Sequence, residues 1–172
     1  MANLITYSDF TGILTLPDAG DATVNQKCTD LITEFQNQIL DDLMGYSLRK
    51  AFLADVAAVT PQDKWLLLLN GGEYTNDNGD LTYFQGVKKM LVYYIYAEII
   101  RYYAFLTTQG SGEAQGKSNN ATVEFDKFYR YYNLFVTEYR NCYSYLDYKY
   151  NNDADFANLT NLEKYFTNKF GI

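Results

Sequence analysis

The chain has 172 residues, 21 acidic and 14 basic, with a formal net charge of -7. One domain with a sizeable core is the expectation at this length. The basic residues are scattered (Arg49-Lys50, Lys88-Lys89, then singles), with no basic tail or stripe. Such an acidic chain makes a poor sequence-independent DNA binder, because phosphate affinity needs concentrated Lys and Arg. Histidine is absent, which excludes a His general base and the Ser-His-Asp and Cys-His nucleophile arrangements. Cys28 and Cys142 sit in apolar helical patterns and read as buried free thiols, too few for a structural zinc site.

"MANLITYSDF" lacks a basic segment followed by an apolar one, so no secretory signal is expected. Residues 1–22 read as an extended arm, broken by Gly12, Pro17 and Gly20, with Ser8 placed to cap a short turn. Thr23 opens a helix whose apolar positions Val24, Cys28, Leu31, Ile32, Phe35, Ile39, Leu40 and Leu43 follow three-four spacing. Gly45 ends it as a left-handed cap. Ser47 starts a shorter helix with Leu48, Phe52, Leu53 and Val56 on one face.

Thr60-Pro61 predicts a helix start with proline at the first helical position, running through Trp65 to Leu69. Asn70-Gly71-Gly72 stops it. "EYTNDNGDLTYF" then reads as a small hairpin, with Tyr74-Thr75 and Leu81-Thr82-Tyr83 around a turn containing Asn78-Gly79. A helix from about Phe84 to Thr107 is apolar on nearly every side, which suits the centre of a bundle or a subunit boundary. Its longest unbroken apolar run ends at Glu98, so no membrane span is expected. Glu98 and Arg101 are spaced to pair.

Thr107 to Asn120 is a Gly-rich polar loop. A long helix follows from about Ala121 to Tyr148, with Phe125, Phe128, Tyr132, Phe135, Tyr139, Cys142 and Leu146 along one side. A last helix, about Asp155 to Asn168, carries Phe156, Leu159, Leu162 and Phe166. The whole is all-α: a helical bundle of about five to six helices, with a small β-hairpin-like insertion and an extended N-terminal arm. It is one domain over 1–172, with the arm at 1–22, the bundle core at 23–150 and a C-terminal helix or tail at 151–172.

Four features invite a chemical reading. A calcium loop with Gly79 sixth would place Tyr74 first and Gln85 twelfth, so both terminal acidic ligands are missing and a hairpin turn is the better account. "GSGEAQGKS" has one residue too many between Gly110 and Gly116 for a phosphate loop, and a helix precedes it. Asp41 and Asp42 are neighbours on a helix, point about 100° apart and read as a solvated face. Trp65 and the tyrosine faces lack the basic groove of a single-strand stacking platform, so packing is the simpler reading. No catalytic residue, metal or cofactor is expected. The tyrosines stand out: 18 in all, 13 of them in Tyr93–Tyr103 and Tyr129–Tyr150, a load that suits surfaces buried by other subunits.

"LITYSDFTGIL", "LDDLMGYSL", the block "KWLLLLNGGEYTNDNGDLTYFQGVKKMLVYYIYAEIIR" and "GSGEAQGKSNNA" together resemble small helical virion proteins of tailed bacteriophages encoded near portal and head genes. The resemblance covers roughly residues 4 to 150; the last twenty residues and the tyrosine load depart from it. It implies a head-tail connector (adaptor or head-completion protein), a non-enzymatic virion protein assembled in the host cytoplasm. Such a subunit forms a ring of about twelve copies beneath the portal, a closed heterologous assembly. The ring extends the DNA channel, and DNA passes through without specific binding. Its partners are itself, the portal protein and the next tail or adaptor protein; a tail-completion or minor capsid or cargo role in the same virion is the alternative. The expected interface residues are Ile5, Tyr7 and Phe10 in the arm, and Glu73, Tyr74, Asn76, Asp77 and Asn78 in the hairpin. Gln109, Gly110, Gly112, Asn119 and Asn120 in the Gly-rich loop complete the set, with Phe156, Phe166 and Phe170 at the C-terminus. Deleting residues 73–80 is expected to leave a folded monomer that no longer assembles.

Overall fold

The structure, a computed structural model, describes residues 3–16, 22–109 and 118–156, with the backbone alone over 103–109, 118–125 and 155. Within them the fold is helical with one small antiparallel sheet. The order is two 3-10 turns (Tyr7–Asp9 and Gly12–Leu14), α1 (Ala22–Val56), α2 (Asp63–Asn70), β1 (Gly72–Thr75), β2 (Leu81–Phe84), α3 (Gly86–Gln109), α4 (Ser118–Asn152) and a 3-10 turn at Ala154–Phe156. The chain divides into two compact units, Met1–Phe35 with Met90–Thr137, and Gln36–Lys89 with Glu138–Ile172. The divisions fall inside α1, α3 and α4.

In the first unit, the expected stripe of α1 is buried at Val24, Cys28, Leu31 and Ile32. From Met90 to Ile100, α3 buries every side chain except Tyr94, which is half-buried. A helix apolar on all sides needs neighbours on all sides. Aromatic contacts supply some of them: Tyr94 meets Phe35 at 5.4 Å and Phe135 at 4.9 Å, and Tyr96 meets Tyr131 at 4.6 Å. The N-terminal segment is a correction to the sequence reading. It is two tight turns docked on this unit, with Ile5, Phe10, Leu14 and Leu16 buried. Burying each such side chain contributes about 1.5–3 kcal/mol, which an arm free in solvent would forgo. The first turn is closed by Thr6, not Ser8: the Asp9 carboxylate accepts from the Thr6 N–H at 2.6 Å and the Thr6 hydroxyl at 3.2 Å.

In the second unit, Gly45 has φ 75° and ψ 159°, so α1 breaks there and resumes, burying Leu48 and Phe52. α2 starts two residues later than Thr60-Pro61 suggested. The Gln62 N–H donates to Asp55 Oδ1 at 2.8 Å, which holds Gln62 extended as the residue before the helix. The core is a run of rings. Trp65 lies 5.8 Å from Phe52 and 4.6 Å from Phe156, and Phe84 stacks on Tyr145 at 4.9 Å. The Tyr145 hydroxyl donates to the Lys64 carbonyl at 3.0 Å, so this ring is buried with its polar tip satisfied. Asp153 pairs with Lys64 at 3.3 Å, beside the Phe156 turn. The predicted helix from 155 onward lies outside the described residues beyond Phe156.

The tyrosines behave differently from expectation. Tyr74, Tyr93, Tyr96, Tyr131, Tyr139 and Tyr145 are buried by the chain itself, while Tyr46, Tyr83, Tyr102, Tyr129 and Tyr150 are exposed. Much of the tyrosine load is therefore core material and no argument for assembly. The cysteines are free and buried. Burial pushes the Cys28 thiol up to about 11, and burial followed by the nearby Glu138 pushes Cys142 well above its ordinary value. Since the thiolate is the nucleophile, a maleimide at pH 8 is expected to leave both unlabelled in the native chain and to label both in urea. Labelling of the native chain, followed by mass spectrometry, checks this.

Candidate functional site

The hairpin is built from its two ends inward. At its base Gly71 and Gly86 meet backbone to backbone. Both have positive φ, 78° and 82°. A Cβ on Gly71 would lie 2.4 Å from the Phe84 carbonyl oxygen, and one on Gly86 would lie 2.2 Å from the Gly71 nitrogen. Only glycine permits both the conformation and the approach. Beside this joint, the buried Glu138 carboxylate accepts from the Gln85 N–H and from the Gln85 side-chain amide, each at 3.0 Å. One acidic side chain on α4 thus fixes the residue that precedes α3.

The strands pair Glu73 with Tyr83, Tyr74 with Thr82 and Thr75 with Leu81. Alternation puts Tyr74 and Phe84 on the inner face, where Tyr74 meets Phe84, Tyr145 and Tyr148 between 5.2 and 5.8 Å. Glu73, Thr75, Leu81 and Tyr83 form the outer face; Leu81 is 70% and Tyr83 64% exposed. The turn satisfies itself. Asn76 Oδ1 accepts from the N–H groups of Asn78 and Asp80 at 3.0 and 2.9 Å, and the Gly79 N–H donates to the Asn76 carbonyl at 3.0 Å. Asp77 Oδ1 accepts from the Asn152 side chain at 2.7 Å. Asn76 and Asp77, two of the residues that suggested a metal loop, thus shape and anchor a turn. Among the described residues, no group of three or more His, Cys, Asp or Glu is placed to hold a metal. Asn76→Ala is expected to cost about 1 kcal/mol locally and to speed amide exchange at Asn78 and Asp80 about five-fold, as hydrogen exchange by NMR would read.

The expected interface residues divide. Glu73, Asp77 and Asn78 are exposed, and Tyr7 and Asn76 are half-exposed. Ile5, Phe10, Tyr74 and Phe156 are corrections: all four are buried in the chain, Phe156 against Trp65 and Tyr74 against Tyr145. An isolated aromatic in the sequence does not say whether its neighbour is the same chain or another. Gly110, Gly112, Phe166 and Phe170 lie outside the described residues; Gln109 ends α3 and Asn119 and Asn120 lie in the first turn of α4. The expected effect of deleting residues 73–80 is also corrected, because it would remove Tyr74 from the core.

A second feature was not foreseen. In the first unit, α1 and α3 border a cleft of about 380 Å³, lined by Lys27, Leu31, Glu34, Phe35, Glu98, Arg101 and Tyr102. α1 contributes positions i, i+4, i+7 and i+8, and α3 contributes i, i+3 and i+4, so each set lies on one helix face. Glu98 is buried and its carboxylate accepts from Arg101, as the spacing predicted. Burial, followed by the Glu98 charge, raises the hydroxyls of Tyr94 and Tyr132 above their ordinary range. Lys27 Nζ lies 4.6 Å from the centre of the Tyr102 ring. Leu31 and Phe35 supply the apolar lining, with charges of both signs around it. Such a cleft holds an apolar group and orients it through its charged rim. The Glu98–Arg101 pair was legible from spacing; its meeting with Lys27 and Glu34, more than sixty residues away, was not.

The remaining candidates resolve simply. Asp41 lies 2.7 Å from Arg49 Nε, in ionic contact but not aligned as a hydrogen bond, and Asp42 is buried. The solvated face expected of this pair is corrected at Asp42, whereas the Asp41 side chain is 37% exposed. Trp65 is buried and offers no stacking surface. No helix among the described residues is long and apolar enough to cross a membrane. The chain matches no protein-family model, no curated protein and no solved structure.

Proposed function

We propose that the chain is a subunit of a head-tail connector ring in a tailed-bacteriophage virion, a structural role without catalysis. The observation that carries the reading is the hairpin. It is a rigid ribbon whose turn is internally hydrogen-bonded and whose base is a glycine–glycine joint, and it presents Leu81 and Tyr83 to solvent. Stiff scaffolds carrying exposed apolar side chains suit permanent contacts, since little ordering entropy is lost on docking. The sequence resemblance over the same block supports the reading, and the acidic net charge of -7 suits a channel along which DNA slides without adhering. The portal protein and the next tail protein are the remaining partners, and the head-tail junction of the virion is the location.

Quantitative mass spectrometry of purified virions, with this chain counted against the portal protein, tests the reading. A ratio near one to one is expected. Many copies per portal would move the chain to the capsid or tail tube, and absence from the particle would overturn a virion role.

A further inference from the structure

We propose that the outer face of the hairpin of one copy docks, Tyr83 foremost, in the cleft bordered by Lys27 and Arg101 of a second copy. This rests on the ring-subunit reading and names its contact. Singly exposed apolar residues are ordinary on protein surfaces. Here Leu81 and Tyr83, 70% and 64% exposed, are two positions apart on one strand and so share one face of a rigid ribbon. The cleft, about 380 Å³ with Leu31, Phe35 and Tyr102 in its lining, has room for an aromatic ring beside an aliphatic side chain. Tyrosine and arginine are, with tryptophan, the residues enriched among the anchors of protein contacts.

Charge selects a second copy as the occupant. From Trp65 to Val87 the chain has no Lys or Arg, and it carries Glu73, Asp77 and Asp80. Glu73 is directly opposite Tyr83 in the strand register, so a docked ring brings that carboxylate to the mouth of the cleft. The mouth offers Lys27 and the Arg101 guanidinium, whose side chain is 59% exposed even while it serves Glu98. A guanidinium has five N–H donors, so one carboxylate does not exhaust it. Glu34 on the same rim repels Glu73 and orients the hairpin toward the two cations. Hairpin and cleft share no residue, so the contact is heterologous, the kind that repeats from copy to copy and closes into a ring when the rotation permits.

The test uses the full chain. Light scattering across a concentration series reads self-association of the wild type, Tyr83→Glu, Lys27→Glu, Glu73→Lys and the double variant Glu73→Lys/Lys27→Glu. Circular dichroism and thermal melts confirm that each variant, all at surface positions, stays folded. Tyr83→Glu and each single charge reversal are expected to weaken self-association at least ten-fold, with the double variant recovering most of the loss. In a mixture of two differently tagged chains, Leu81→Cys and Lys27→Cys are expected to form a disulfide between copies. Association that survives Tyr83→Glu unchanged would overturn the docking and leave the ring reading in place. A wild type that stays monomeric and gives no cross-link would also overturn it, whereas the ring reading stands or falls on the copy number in virions.

Discussion

Gly86→Ala is expected to cost about 4 kcal/mol or more, enough to unfold a marginally stable chain. The added Cβ would lie 2.2 Å from the Gly71 nitrogen, 2.6 Å from the Asn70 carbonyl carbon and 2.7 Å from the Leu69 carbonyl oxygen. All three are backbone atoms at the end of α2, and none can rotate away as a side chain would. The conformation adds strain, because φ is 82°. Gly71→Ala meets the reciprocal obstacle at Phe84 and Gln85 and is expected to behave alike. Gly79→Ala is the control. Its φ is 84°, yet an added Cβ would find nothing within 4 Å. It should show the conformational cost alone, about 1–2 kcal/mol. Urea denaturation of the three variants measures the difference. Equal losses at Gly86 and Gly79 would mean that the base of the hairpin is not a tight joint.

A large loss of stability in alkali is the second expected result. Burial is the main cause that raises Tyr139 and Tyr145 above the ordinary tyrosine range; Asp42 adds to it at Tyr139, and Asp153 at Tyr145. Tyr139 is 7% exposed and Tyr145 is not exposed at all. The sign follows from proton binding. The folded chain keeps both phenolic protons at a pH where the unfolded chain, titrating near 10, has begun to lose them. The native state binds more protons, so stability falls as pH rises. The contribution is fully present below pH 10 and declines above it by about 1.4 kcal/mol per pH unit for each such tyrosine. Ionising Tyr145 also breaks its hydrogen bond to the Lys64 carbonyl. Urea midpoints measured from pH 8 upward should stay level to about pH 9.5 and then drop steeply, with the buried rings adding their tyrosinate absorbance only as the chain unfolds. Complete tyrosinate formation, buried rings included, ahead of unfolding would show that these rings are reached by solvent. Tyr145→Phe should flatten part of the slope while costing about 1 kcal/mol at neutral pH for the unpaired Lys64 carbonyl.

Local rules carried the sequence reading wherever the decisive neighbours are near in the chain. The three-four spacing from Val24 to Leu43 determined α1, and the positive-φ break at Gly45 followed from the residue type. The nearly continuous apolar circumference of residues 90–100 determined a helix enclosed on nearly every side. Asn78-Gly79 between short alternating runs determined a hairpin, and Glu98 with Arg101 an ion pair. In each case the cause lies within a helical turn or a strand pair. Even so, Thr60-Pro61 misplaced the start of α2, because Asp55 takes the Gln62 N–H from seven residues away.

What only the tertiary structure decided is which surface each aromatic side chain covers. Tyr74 and Phe156 look like contact residues in a sequence because a ring has the same apolar area whichever chain buries it. Their burial against Tyr145 and Trp65 depends on segments brought together across more than seventy residues. Glu138 holding Gln85, the Gly71–Gly86 joint and the Lys27–Arg101 cleft have the same origin. Each joins groups from separate elements, and no periodicity along one element encodes the distance between two.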